Sequence, residues 1–135
     1  MLGHVLLREG RIDEALPRLK IVPGGSNYDL IHSCWPDSST SRCAEVAKRS
    51  EAEFRSIPNA DAWYFGAALF AFLGKKDTAI RFLQADSEHN FCVYPAVDRE
   101  VLFDRIRQSA EFRAARQDGI ECQKKFAPYA RIQIQ

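Results

Sequence analysis

The chain has 135 residues, 46% of them hydrophobic and 27% charged, with a net charge of +1. That suffices for one domain with a modest core and leaves no excess charge to track a phosphate backbone, so no nucleic-acid partner is expected. The longest apolar stretch, Ala62 to Leu73, is twelve residues long, too short to cross a bilayer, so no membrane partner is expected either.

Leu2 to Arg8 reads as a helix with Leu2, Val5 and Leu6 on one stripe, closed by Gly10. Asp13 opens a second helix, whose buried face is Ala15, Leu16, Leu19 and Val22. Pro17 falls in its first turn, where no intrahelical N–H bond is lost, and Pro23-Gly24-Gly25-Ser26 ends it. Tyr28 to Trp35 is a short helix with Tyr28, Ile31, Cys34 and Trp35 on one side, stopped by Pro36. A polar turn follows, and then an amphipathic helix from about Thr40 to Ser56 with Cys43, Ala47, Ser50, Phe54 and Ile57 as its stripe.

After Pro58-Asn59-Ala60-Asp61 comes Trp63 to Leu73, apolar nearly all round, which predicts a helix covered on several sides. Gly74 turns the chain, and Asp77 is expected to cap a helix carrying Ala79, Ile80, Phe82 and Leu83. Asp98 to Arg107 reads as a short helix. Ser109 caps a last helix with Phe112, Ala115, Gly119, Cys122 and Phe126 on one face, which Pro128 should end. Gly119 inside it costs about 1 kcal/mol relative to alanine, which points to a kink or a close helix contact. Residues 128–135 read as a frayed tail.

One pattern occurs twice. Gly10, Asp13, Ala15 and Leu19 recur 64 residues later as Gly74, Asp77, Ala79 and Leu83, and Leu16 is matched by Ile80. Recurrence at a fixed interval is the mark of stacked helical hairpins, a binding scaffold more than an enzyme. The pattern resembles the tetratricopeptide repeat, a helix pair about 34 residues long. In the second copy Trp63, Ala67, Phe70, Gly74, Ala79 and Leu83 match the family's marks; in the first, Leu2, Gly3, Leu6, Gly10, Ala15, Leu19 and Val22 do. Gly66 and Asp86 depart from it, standing where a large aliphatic and a small residue are usual.

The resemblance implies an all-α, right-handed stack over residues 1–127. It divides into a partial repeat 1–23, a degenerate repeat 28–57, a repeat 61–88 and a C-terminal cap 98–127. The run Phe91 to Ala96, then Leu102 to Arg107 and Glu111-Phe112, is similar to the closing segment of bacterial repeat regions that follow a serine/threonine kinase or a winged-helix domain. That implies the C-terminal part of a larger regulator. The apolar end at Leu2, Val5 and Leu6 implies either a truncated start or a covering partner.

The residues that could carry chemistry do not form a known site. No C-x-x-C pair occurs among Cys34, Cys43, Cys92 and Cys122, so reduced, buried thiols in a cytoplasmic protein are expected, and no metal or cofactor. His89 and Cys92 are three residues apart but bracket an irregular segment, so no thiol nucleophile and no enzyme is expected. Arg113, Arg116, Lys124 and Lys125 interleave with acidic residues on one helix, the pattern of a solvated face.

The family's first helices line a concave groove that holds a peptide or a partner helix. The matching positions here are His4, Leu7 and Arg8, with Asp61, Tyr64, Ala68, Ala71 and Phe72. Tyr64 and Arg8 would anchor a ligand through area and directional hydrogen bonds. Two alternatives stay open: the middle unit and the C-terminal helix cover these residues, or the chain assembles with itself through its apolar N-terminal end.

Overall fold

A computed structural model describes residues 2–11, 13–15 and 26–134, and the side chains of residues 5–11, 13–15 and 29–126. Among the described residues the fold is all-α, with no strand. Helix α1 is Leu2–Arg8, α2 Ser26–Cys34, α3 Ser41–Ser56, α4 Ala60–Phe72 and α5 Lys76–Glu88. A short α6, Ala96–Arg99, and a 3-10 turn, Val101–Phe103, lead to the long α7, Ala110–Ile134. Residues 13–15 are helical; the rest of the expected second helix, with Leu16, Leu19, Val22 and its proline-glycine end, lies outside the described residues.

Capping chemistry sets the boundaries. The Thr40 hydroxyl accepts from the Cys43 N–H at 3.0 Å and opens α3. The Asn59 side chain accepts from the Asp61 N–H at 2.9 Å and opens α4. Three helices end alike, on one left-handed residue: Gly10 after α1, Gly74 after α4 and Asn90 after α5. In each, the next residue's N–H reaches back five positions: Arg11 to Leu6, Lys75 to Phe70, and Phe91 to Asp86, all at 2.8 Å. This double-bonded C-cap satisfies carbonyls the helix leaves open. Of the residues that repeat in sequence, Gly10 and Gly74 share this turn, which Asn90 also adopts, while Leu16 and Leu19 lie outside the described residues. Ala15 and Ala79 also match, each with no exposed surface and each bonded through its N–H to the carbonyl four residues earlier.

Helices α2 and α3 form one hairpin, α4 and α5 a second, and α3 packs against α4. From Gly66 to Phe72 every residue of α4 is buried, as its lack of a polar face demands. Gly66 departs from the family pattern for a packing reason: a Cβ there would lie 3.2 Å from the Phe54 ring. Phe54, Phe70 and Phe82 then form an aromatic cluster with centroids 5.9 to 6.2 Å apart. The Trp63 indole N–H points to the carbonyls of Phe54 and Ile57, at 3.1 and 2.9 Å, tying the end of α3 to the start of α4. On the outer side Glu51 of α3 receives Arg81 and Thr78 of α5. Arg81 is the main reason its carboxyl sits below the usual range.

Several boundaries differ from expectation. Lys75, not Asp77, is the cap position of α5; Asp77 lies inside the first turn, where its charge favours the helix end. The expected helix over 98–107 is two short pieces, because the Arg107 guanidinium takes the carbonyls of Val97 and Glu100 at 2.8 Å each and holds the chain in turns. Pro128 does not end α7, and the expected tail is helical through Ile134. Proline removes one ladder bond, and eighteen residues of helix already precede it. Ile57 and Phe126, placed on buried stripes by their spacing, are 43% and 41% exposed.

The cysteines depart furthest from expectation. Cys34 is bonded to Cys43 and Cys92 to Cys122, and no free cysteine remains. The first bond closes the α2–α3 hairpin. The second fastens the segment leaving α5 to α7. Closing loops of 9 and 30 residues stabilises by about 2–3 and 3–4 kcal/mol through lost chain entropy. Beside the second bond, Gly119 lets α7 lie directly on that segment: a Cβ there would be 2.7 Å from Val93 Cγ2 and 3.0 Å from the Tyr94 backbone nitrogen.

Two outcomes follow. Alkylation of denatured protein should block no cysteine before reduction and all four after it; a thiol that reacts beforehand would refute the pairing. Gly119→Ala should lower stability in urea by about 1–3 kcal/mol despite alanine's better helix propensity, because a backbone atom cannot move aside.

Candidate functional site

The face of α4 expected to form a groove is closed by the chain itself. Ala68 and Ala71 have no exposed surface, Leu7 is 1% exposed and Phe72 8%. Their side chains belong to the core, so no open groove exists at these four positions. Phe72 is stacked on Trp35 at 4.8 Å, and the Arg105 guanidinium lies over the other part of that indole, 5.4 Å from its centroid. The cover over Tyr64 comes from residues 91–107: Phe91 and Phe103 lie 6.1 and 5.8 Å from its ring. Of the other groove positions, Arg8 and Asp61 are exposed, and the side chain of His4 lies outside the described residues.

Arg8 is engaged within the molecule. Its guanidinium pairs with Glu100 at 3.1 Å and lies over the Phe65 ring at 5.3 Å. Burial, with Glu100 adding to it, pushes the Tyr64 phenol well above its usual range, and Arg8 opposes the shift. Tyr64 stays a neutral donor at any ordinary pH.

On α5, close enough to Tyr64 for its charge to act on the phenol, lies Asp86. It has no exposed surface, and neither carboxylate oxygen has a hydrogen-bond partner. Burial, reinforced by the like charge of Asp61, pushes its carboxyl up to about 8. The sequence held a signal for this residue, since Asp86 stands where the repeat pattern wants something small. The pattern alone does not say that the carboxyl is unpaired.

A second feature lies on the open side of the molecule. Between α5 and α7 runs a cleft of about 480 Å³ lined by Gln84, Ser87, Glu88, Asp118, Glu121, Cys122 and Lys125. Its walls carry three acidic groups and one basic group. Sequence reasoning placed none of these in a site, because the cleft forms only when two helices that are not consecutive in the chain are brought together.

The other sequence candidates resolve plainly. Cys92 is disulfide-bonded and offers no thiolate to His89, whose Nδ1 lies 2.9 Å from the Ala85 carbonyl. Cys34 and Cys43 are bonded to each other beside His32. No group of three His, Cys, Asp or Glu side chains able to hold a metal ion occurs among the described residues. Arg116 pairs with Asp98 at 2.7 and 2.9 Å, and Lys124 with Glu121 at 3.4 Å. No helix among the described residues is long and apolar enough to cross a membrane. No protein-family model matches the chain, no curated protein matches it, and no solved structure matches it.

Asp86 makes stability depend on pH. The folded carboxyl holds its proton up to about 8, whereas the unfolded side chain releases it near 3.8. Between those values the native state binds the extra proton, so stability falls by about 1.4 kcal/mol per pH unit as pH rises. Below the lower value the stability is fully present; above the upper one the loss is complete. Asp86→Asn should flatten this slope and be the more stable form at pH about 8, by urea unfolding across the range. A wild-type slope unchanged in the variant would refute the assignment.

Proposed function

We propose that the chain is a protein–protein interaction scaffold, a tetratricopeptide-like right-handed stack of helical hairpins that binds a peptide or a partner helix. The carrying observation is the recurrence of one turn at Gly10 and Gly74, with the same backbone bonds and the same buried alanine after each. A turn repeated in this way builds hairpins that stack, and stacked hairpins present extended surfaces.

The partner surface in this reading is the cleft between α5 and α7, since the α4 face is filled from within. Glu88, Asp118 and Glu121 suit a segment bearing lysine or arginine, with Gln84 and Ser87 as hydrogen-bonding groups. The two disulfides support a compartment in which thiols are oxidised over the cytoplasm expected from sequence. They weigh equally against a place behind an intracellular kinase or DNA-binding domain. The apolar-end reading of self-assembly gains little: Leu6 is buried, and of that stripe only Val5 is described as exposed, at 48%.

A photo-crosslinking residue at Asp118, compared with one at Lys48 on the far side of α3, tests the reading in the source cell. The expected outcome is one defined adduct from Asp118 and none from Lys48. Equal labelling from both, or none from either, would refute it. An adduct of twice the chain's mass would favour self-assembly instead.

A further inference from the structure

Asp86 is the only fully buried carboxyl among the described residues, and it stands where the chain leaves α5. Its carbonyl accepts from the N–H groups of His89 and Phe91, at 3.1 and 2.8 Å. The segment that then crosses α4 therefore starts on Asp86 itself. It is held over Tyr64 by Phe91 and Phe103, and at its far side by the Arg8–Glu100 pair.

The ionisable groups around this position leave the carboxyl unmatched. From α4 come Asp61, of like charge, and Tyr64. His89 closes α5, and its Nδ1 is taken up with the Ala85 carbonyl. Around Tyr64 stand Arg8 of α1 and, from the crossing segment, Glu100 and Arg107. The two cations are committed elsewhere, Arg8 to Glu100 and Arg107 to Asp104 and the carbonyls of Val97 and Glu100. A neutral carboxyl is tolerated in such a place. A carboxylate there has no protein donor and no exposed surface, and its burial is strongly unfavourable.

We propose that loss of the Asp86 proton to solvent lifts residues 91–107 off α4, so that this segment is a pH-gated strap. The carboxylate reaches water most directly by displacing the chain that turns back over it. No covalent bond changes; the proton passes to bulk water and returns when pH falls. The strap stays attached at Cys92 through its bond to Cys122, so it swings without leaving. Lifting it uncovers Tyr64 and part of α4, and brings out Val97, Leu102 and Phe103, which are buried while the strap is down. The proposal does not depend on the interaction reading above.

Hydrogen exchange read by mass spectrometry, corrected for the intrinsic pH dependence of exchange and run from pH about 6 to about 10, tests it on the full chain. In the wild type, protection of amides in residues 96–107 should fall by about tenfold or more through a transition near pH 8, while residues 66–72 stay protected. Asp86→Asn should abolish the transition. Asp61→Asn removes a like charge from an exposed position and should move it to lower pH, a readout that stands even if the first variant folds poorly. The proposal is overturned by any of three results: a transition that persists in Asp86→Asn, an unmoved transition in Asp61→Asn, or protection lost at once throughout the molecule.

Discussion

The structure depends on the need to surround α4. A helix with no polar face is most stable when neighbours exclude water from it. Here α3 presents Phe54 to Gly66, α5 closes the hairpin from the other side, and the 3-10 turn with its flanking residues covers what remains. Trp35, from the α2–α3 loop, seals the last turn at Phe72. The small residues along α4 let the neighbours approach closely, and the large ones fill the space between them. With these neighbours in place no groove is open at Ala68, Ala71 and Phe72, so the candidate partner surface lies between α5 and α7.

Much of the fold was legible because it is local. Thr40 and Asn59 stand in polar stretches before apolar runs, and both cap. Gly74 sits where a left-handed residue is needed. Gly119 inside a helix points to a kink or a close contact, and Val93 and Tyr94 supply the contact. Gly10 and Gly74, matched by spacing, end their helices with the same backbone bonds, as Asn90 does.

What was not legible is non-local. Cysteine pairing depends on which chains fold back beside each other, and four cysteines at irregular spacing do not reveal it. Residues 98–107 carry apolar residues at helical intervals, yet the Arg107 side chain competes for their carbonyls and wins. Four of the groove positions, Leu7, Ala68, Ala71 and Phe72, are buried for a related reason. Spacing shows which side of α4 a residue occupies, but from Gly66 to Phe72 every side faces protein. Asp86 shows the limit best: its oddity was visible, but the absence of any partner is a property of the packed surroundings.

The bond between Cys92 and Cys122 also bears on how the molecule survives cleavage. Arg99, Arg105, Arg107, Arg113 and Arg116 all lie between the two cysteines. A trypsin-like protease that cuts at any of them leaves both fragments joined through sulfur. A chain nicked once there keeps its full mass, apart from one added water, until a reductant separates the pieces. Intactness on a non-reducing gel is therefore no proof of an uncut backbone in this protein.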